Sequence, residues 1–257
     1  MKDQISAALV LIGNEILSGR TQDANLKYIA DSLGKVGIVL LEARVIPDVH
    51  DTIISTLRVL KTQFDYVFTT GGIGPTHDDI TSECVASAVY QPLELHPVAF
   101  KAMDDYYREK GIEFNDARQR MAKTPRGATL IESTASIAPG YVADNIIVMA
   151  GVPRIMQRML SDVIPTLNHG VITTSRQLHT NLPEGVLAQP LTELQSRYPQ
   201  IDIGSYPQMT NGRGFHVILV YRSTDIEALE ALDKDLKNMI TSAGGEYDLD
   251  AKPAPNA

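Results

Sequence analysis

The residues best able to do chemistry lie together at positions 69–81, where three glycines are followed by two adjacent acids. The order is Thr-Thr-Gly-Gly-Ile-Gly-Pro-Thr-His-Asp-Asp-Ile-Thr. Glycine lets the backbone come close to a ligand, and free N–H groups at the start of a helix favour an anion. The neighbouring carboxylates of Asp78 and Asp79 would repel a phosphate unless a cation lay between them. The pattern therefore predicts a site for a phosphorylated ligand and a divalent metal ion.

Strands that alternate with helices must position this segment. An apolar run at residues 66–68 leads into the glycines, and the two acids open a helical pattern that continues to Tyr90. Apolar runs at residues 6–12 and 38–43 predict two more buried strands, each followed by a helix. This alternation predicts an α/β fold, a three-layer doubly wound sheet that is mostly parallel.

Other candidate groups follow predicted strands. Glu15 comes after the first strand and Asp48 after the second. Ligands of doubly wound sheets bind beyond the carboxyl ends of the strands, so both acids are expected on the same rim as the glycines. A second strand–Gly–Pro–helix junction, with Gly151 and Pro153, predicts another backbone wall of the same pocket.

Each feature also has a structural explanation. The glycines could form only a tight turn, one of the paired acids could complement a helix dipole, and Glu15 and Asp48 could be solvated loop acids. His77 is interpreted as a positioning residue, and the other five histidines lack zinc-type spacing. Cys84 is predicted to be a small residue of the core.

Composition limits the class of protein. The chain has 257 residues, a formal net charge of −8 and no block of Lys and Arg, which argues against nucleic-acid binding. Its single cysteine fits a reducing compartment. The absence of a signal-peptide pattern and of a membrane-length apolar run predicts a cytoplasmic location, without a membrane partner.

The chain is predicted to form two domains. Residues 1–168 form the larger one, and residues 169–245 form a small α+β domain of the βαββα kind with a turn at residues 210–214. Residues 246–257 are predicted to be a flexible tail because they hold two prolines and few apolar residues.

Four motifs in order resemble a known family. Residues 69–81 resemble the signature of the molybdopterin-binding (MoaB/Mog-like) domain, in the Asp-Asp form of the competence/damage-inducible protein A (CinA) branch. The other motifs are Ile-Gly-Asn-Glu-Ile-Leu-Ser-Gly at 12–19 with Asp-Ala-Asn at 23–25, Ala-Pro-Gly-Tyr at 138–141, and Gly-Val-Pro-Arg-Ile-Met at 151–156. The resemblance covers residues 5–167, and the small domain resembles the middle domain of that branch. Ser133, Ser136 and Ala150 depart from the motifs.

The resemblance implies several activities. In the CinA branch this domain is associated with hydrolysis of ADP-ribose-type pyrophosphates that depends on a metal ion and potassium. Its counterpart fused to eukaryotic FAD synthases is associated with FAD hydrolysis, and in the molybdenum-cofactor branch the fold adenylates molybdopterin. There the loop acid and an acid after the second strand are functional, and they match Asp79 and Asp48. Relatives are dimers or trimers, which implies a homo-oligomer. The amidase domain of longer relatives has no counterpart in these residues.

The leading hypothesis is a nucleotide pyrophosphatase dependent on Co²⁺, Mg²⁺ or Mn²⁺, with potassium. The alternatives are a protein that binds or adenylylates molybdopterin, and a nucleotide-binding protein without catalysis. The candidate catalytic residues are Asp79, Asp78 and Asp48, of which Asp78 and Asp79 are also the candidate metal ligands. The candidate ligand-binding residues are Thr70, Gly71, Gly72, Gly74, Pro75, Thr76, His77, Glu15, Asn25, Pro139, Gly140, Gly151 and Pro153.

Overall fold

The structure, a computed structural model, describes residues 4–131, 136–208 and 217–249. Ser133 and the turn predicted at residues 210–214 lie outside the described residues. The chain divides into two compact units, Met1–Val171 and Ile172–Ala257. Among the described residues, no helix has the length and apolar character needed to cross a membrane.

The first unit is built on a six-stranded sheet with a small two-stranded sheet beside it. Its strands are β1 (Ile5–Ile12), β2 (Ile38–Ile46), β3 (Tyr66–Thr70), β4 (Leu93–Leu95), β5 (Lys123–Pro125), β6 (Thr129–Ile131), β7 (Gly140–Ala143) and β8 (Ile146–Met149). The order in the large sheet is β2-β1-β3-β8-β7-β6. The first four of these strands run parallel, and β7 and β6 continue the sheet antiparallel. The small sheet pairs β4 with β5.

Helices cover both faces of the large sheet. They are α1 (Asn14–Leu17), α2 (Asn25–Gly34), α3 (His50–Gln63), α4 (Thr81–Ala88), α5 (Pro97–Glu109), α6 (Asp116–Arg120) and α7 (Pro153–Val163), and a 3-10 turn follows at Ile164–Thr166. On β1, Val10 packs in a cluster with side chains of α3 and α4, and Leu9 packs in one with α2 and α7. Successive strand residues point to opposite faces, so one apolar strand serves two cores. The predicted three-layer α/β architecture is confirmed.

The strand order reverses between β1 and β3. From β1 the chain passes through α2 to β2 on one side, whereas β3 lies on the other side of β1 and leads on to β8. Such a reversal leaves a crevice at the carboxyl ends of the two central strands, where doubly wound proteins bind ligands. Here these ends are Ile12 and Thr70.

The edge strand β2 contains a bulge. Ala7 of β1 pairs with Leu40, but Ala8 pairs with Glu42, so Leu41 is the extra residue. Leu40 packs in the cluster with α2 and α7, whereas Ile46 packs in the cluster with α3 and α4. The bulge therefore turns the second half of the strand to the other face of the sheet.

In its described residues, the second unit has a four-stranded antiparallel sheet and two helices. Its elements are β9 (Thr174–Thr180), α8 (Glu184–Arg197), β10 (Asp202–Pro207), β11 (Val217–Ser223), α9 (Ile226–Ser242) and β12 (Tyr247–Asp248), and the strand order is β10-β11-β9-β12. Buried leucines of both helices, including Leu187 and Leu229, form its own core. Tyr247 and Asp248, which the sequence assigned to a flexible tail, instead pair with Thr180 and His179. This pairing satisfies backbone groups on the edge of β9.

Candidate functional site

The candidate site lies on the carboxyl-terminal rim of the first sheet, which we define as the segments that follow β1, β2, β3 and β8. The four strands are parallel, so their carboxyl ends meet at one edge. Asp48, after β2, accepts a hydrogen bond at 2.9 Å from the backbone N–H of Asn14, after β1. The carboxylate of Glu15 lies beside Gly13 in the same turn. The structure therefore brings Glu15 and Asp48 together at the β1 end of the rim.

The glycine loop, residues 71–79, leaves β3 through two glycines that tolerate no side chain. Gly71 has φ +103°, and a Cβ there would lie 2.1 Å from the carbonyl oxygen of Ile12. Gly72 has φ +66°, and its Cβ would lie 2.2 Å from Oγ1 of Thr81. Thr81 is fully buried and donates from Oγ1 to the carbonyl oxygen of Gly71 at 2.9 Å. The backbone of the loop therefore lies directly against β1 and the start of α4.

Asp79 organises the loop from within. Its Oδ1 accepts a hydrogen bond from the N–H of Gly74 at 2.7 Å, and its Oδ2 accepts one from the N–H of Thr76 at 2.8 Å. The prediction that the two acids open the helix is wrong, because α4 begins only at Thr81. The carboxylate of Asp79 folds back onto the loop amides instead of capping the helix.

Asp78 is the more exposed acid of the pair. Its Oδ1 accepts a hydrogen bond from Oγ1 of Thr76 at 2.6 Å, which lowers its pKa, with a further contribution from its own backbone N–H. Thr76 Oγ1 also lies within hydrogen-bond distance of Asp79, but its one proton can serve only one acceptor at a time. His77 points to solvent, with Nδ1 4.0 Å from Asp78 Oδ1.

The segment after β8 forms a second wall beside the loop. Asn25, which is 4% exposed, donates from Nδ2 to the carbonyl oxygen of Gly151 at 2.9 Å. A Cβ on Gly151 would lie 3.2 Å from the Cα of Gly71. Within the described residues, Oδ1 of Asn25 has no hydrogen-bond partner. The β8 end therefore lies beside the glycine loop, as the sequence predicted, and the start of α2 contacts the β8 end through Asn25.

Four other candidate ligand-binding residues, Gly140, Pro153, Pro139 and Thr70, have structural roles or lie apart from the loop acids. A Cβ on Gly140 would lie 2.7 Å from the carbonyl oxygen of Val148, so pairing of β7 with β8 requires glycine there. Pro153 is the first residue of α7, where a missing N–H costs nothing, and Pro139 directly precedes β7. Thr70 is the buried last residue of β3.

Sequence reasoning missed a basic side chain that contacts the loop. Arg120, in α6, donates from Nη2 to the carbonyl oxygen of Pro75 at 2.9 Å and also to that of Thr76. Arg120 and Lys123 line a small cleft together with Gly74 and Asp79. No local pattern could have revealed this contact, because 45 residues separate Arg120 from Pro75.

The donor groups fit a metal ion only if a ligand brings further oxygens. In the described part of the chain, no group of three or more His, Cys, Asp and Glu side chains is arranged to hold a metal. Both oxygens of Asp79 already accept loop hydrogen bonds, and Asp78 is the exposed acid. Mg²⁺ is commonly held by one or two carboxylates, substrate phosphates and water. The loop fits that mode and does not fit a cage made by protein side chains alone.

Comparisons with known proteins agree with this architecture. Residues 8–169 match the family described as "Probable molybdopterin binding domain", and residues 173–247 match "FAD synthase, middle domain". A CinA-like protein of Chlorobium phaeobacteroides is 28% identical over 95% of this chain, which spans 60% of that protein. A Pyrococcus abyssi protein is 31% identical, with 88% of this chain and 93% of the relative covered.

A solved structure shows the same fold in the first unit. The protein CinA of Thermoplasma acidophilum, described as having unknown function, is 30% identical, with a TM-score of 0.59. The match covers 64% of this chain and 99% of that one. The family match extends over most of the chain, and its residues include every part of the rim described above. The chain therefore belongs to the molybdopterin-binding domain family, in its CinA-like branch.

Proposed function

We propose that the first unit binds the phosphates of a nucleotide such as ADP-ribose and hydrolyses the pyrophosphate bond with a divalent metal ion. One observation carries the proposal. The glycine loop and its two acids lie where the strand order reverses, between β1 and β3. Ligands of doubly wound sheets bind in that crevice. The position supports a ligand site over a plain connection between strand and helix.

Backbone amides of the loop are suited to a phosphate. Among the described residues, the amides of Gly72 and Ile73 form no hydrogen bond to the protein. Consecutive free N–H groups next to positive φ values form a concavity that attracts anions. These two amides are the proposed phosphate donors, with Gly71 and Gly151 keeping side chains away from them.

The two loop acids have different proposed roles. Asp79 holds the loop in shape through Gly74 and Thr76. Asp78, whose pKa is lowered by Thr76, stays ionised at neutral pH and would hold the metal ion together with phosphate oxygens. A divalent ion there would polarise the phosphoryl oxygen and acidify water. Asp48, held by Asn14, and Glu15 are the acids proposed to orient that water.

Release of AMP tests the activity. The protein would be incubated with ADP-ribose or FAD and with Co²⁺, Mg²⁺ or Mn²⁺, each with and without potassium. We expect AMP from ADP-ribose with at least one metal, and none when EDTA is added. A complete absence of turnover across these combinations would reject the proposed reaction.

Variants of the loop acids separate catalysis from loop shape. Asp78→Asn keeps an acceptor for Thr76 but removes the charge, so we expect turnover to fall about 100-fold or more while the fold is kept. Asp79→Ala removes the acceptors of Gly74 and Thr76 and should abolish turnover. Asp31→Asn, an exposed acid of α2 paired with Lys27, is the matched control and should be fully active. Full activity of Asp79→Ala would contradict the proposal.

A second candidate function is the binding or adenylylation of molybdopterin, which the description of the matched family favours. A ligand screen distinguishes the two functions. Tight binding of molybdopterin without binding of ADP-ribose would favour the second function, and ADP-ribose binding without metal-dependent hydrolysis would indicate a protein that only binds nucleotides.

We also propose that the chain forms a homo-oligomer, a dimer or a trimer, as its resemblance to the family implies. Light scattering after gel filtration measures the mass in solution. A mass equal to one chain of 28.1 kDa would contradict this proposal.

A further inference from the structure

Arg120 links the segment between β4 and β5, which contains α5 and α6, to the glycine loop. Its Nη2 atom donates to the carbonyl oxygens of Pro75 and Thr76, two of the three residues between Gly74 and the acids. Thr76 is also held by Asp79 through its N–H, so its peptide groups are restrained from both sides. The loop is therefore held by a side chain of its own, Asp79, and by a side chain of a distant helix, Arg120.

The support of Arg120 is itself well defined. Asn115 caps α6 by accepting from the N–H of Arg118 at 3.1 Å. Directly after the helix, the carbonyl oxygen of Ala122 accepts from the N–H of His96 at 2.9 Å, and β5 pairs with β4. Ala122 is fully buried in a small cluster with Met103 of α5. These contacts hold the backbone from which the side chain of Arg120 reaches the loop.

Arg120 also changes the charge that a phosphate would meet. Asp78, Asp79 and Glu83 make this end of the rim acidic, and Asp79 and Glu83 line the same cleft as Arg120 and Lys123. Carboxylates alone would repel a phosphate, and a guanidinium that is always charged offsets them. The chain thus supplies a cation of its own at the loop, whether or not a metal ion is bound.

We propose that Arg120 is the positioning residue of the glycine loop, holding the Pro75–Thr76 peptides in place and supplying the positive charge that lets the loop accept a phosphate. The second part rests on the proposed function, since it needs a phosphorylated ligand. The first part concerns the free protein. The two parts are tested by separate measurements.

Hydrogen exchange of the free protein tests the loop contact. Exchange of the Gly74 and Thr76 amides would be compared in wild type, Arg120→Met, Arg120→Lys and Arg108→Met. Arg108 is an exposed arginine of α5 paired with Asp104. Its variant therefore has the same charge change in the same segment between β4 and β5. We expect exchange to rise about tenfold in Arg120→Met, less in Arg120→Lys, and not at all in Arg108→Met. Unchanged exchange in Arg120→Met would overturn the positioning role.

Binding of ADP-ribose and of adenosine, measured by calorimetry with EDTA, tests the charge. We expect Arg120→Met to weaken ADP-ribose binding about tenfold and to leave adenosine binding unchanged, because only ADP-ribose has phosphates. Arg120→Lys should recover part of the loss. Equal losses for both ligands, or no loss, would overturn the charge role. If wild type binds neither ligand in EDTA, the charge role fails, whereas release of AMP with a metal ion still decides the proposed function and the exchange result still decides the loop contact.

Discussion

At the scale of single residues, the glycine loop depends on positions with no room for a Cβ. Gly71 and Gly151 face each other, and Gly71 also faces the carbonyl oxygen of Ile12. Because these neighbours are backbone atoms, they cannot rotate away as a flexible side chain would. The loop and the second wall are thus joined by close backbone packing, and a substitution in one is felt in the other.

Gly71→Ala should cost far more stability than a positive φ alone explains. Gly127 has φ +79° with no atom within 4 Å of its Cβ position, so Gly127→Ala should cost only the conformational strain, about 1–2 kcal/mol. Gly71→Ala adds the clash with Ile12 and should lose at least about 2 kcal/mol more. Urea unfolding of both variants measures the difference, and equal losses would show that the clash is relieved.

The titration of Asp78 should depend on one hydroxyl group. Its pKa is lowered from 3.8, chiefly by the hydrogen bond from Thr76. An acid with a lowered folded pKa stabilises the protein above its unfolded pKa, and this stabilisation is lost as the pH falls through the folded pKa. In Thr76→Val the pKa should move back towards 3.8. NMR titration of the Asp78 carboxyl carbon checks this, and an unchanged pKa would assign the shift to the backbone.

At the scale of elements, α4 joins the glycine loop to the core. It begins at the buried Thr81 and places Cys84 in the core cluster with side chains of α3. Burial raises the pKa of the Cys84 thiol to about 12. A thiol in this environment is protonated at neutral pH and is a poor nucleophile.

Cys84 should therefore report on the opening of α4. With an excess of an aromatic disulfide reagent at pH 8, we expect labelling at least about 100-fold slower in the native protein than in urea. The rate should rise in Leu57→Ala, which loosens the same cluster. Rapid native labelling would show that α4 opens without global unfolding.

Much of the fold could be predicted from the sequence because the central strands are apolar on both faces. The runs that became β1 and β3 are buried between two helical layers, so local composition was sufficient for them, whereas β2 is an edge strand in which only Ile38 and Ile46 are buried. The strands β4, β5 and β7 were missed because strands of three or four residues depend on partners elsewhere in the chain. The start of α4 was misplaced because the carboxylate of Asp79 accepts hydrogen bonds from the amides of Gly74 and Thr76 in the loop, so the helix begins only at Thr81.

The same division holds for the candidate site. The glycine loop, Glu15, Asp48 and Gly151 were placed on one rim by the rule for parallel strands, and the structure puts them there. Arg120 could not be found that way, because its helix, α6, lies between β4 and β5, outside the large parallel sheet to which that rule applies. Gly140 and Pro153 are explained by strand pairing and by a helix start, which motif resemblance does not distinguish from ligand contact.

At the scale of the whole molecule, each of the two units has its own core. Leu57 belongs to a cluster of first-unit residues, and Leu229 belongs to a cluster of second-unit residues. The match to two family descriptions follows the same division. Compact units with separate cores are expected to unfold separately.

Calorimetry should therefore resolve two transitions. Leu57→Ala and Leu229→Ala each remove a fully buried side chain, which costs about 2–5 kcal/mol. Each variant should lower only one transition, and ADP-ribose should raise only the one that Leu57→Ala lowers. A single transition lowered by both variants would show that the units unfold together.

The bulge at Leu41 reverses which side chains of β2 face each side of the sheet. Before it, Ile38 and Leu40 face α2 and α7, and after it Ile46 faces α3 and α4, although all three positions are even. The extra residue thus shifts by one position the alternation of side chains between the two faces of the sheet. Changes within β2 are consequently not equivalent. Deleting Leu41 would give a regular strand in which Ile46 stays opposite Ile12 on its present face, whereas inserting one residue between Glu42 and Ile46 would turn Ile46, and the turn that carries Asp48, to the opposite face.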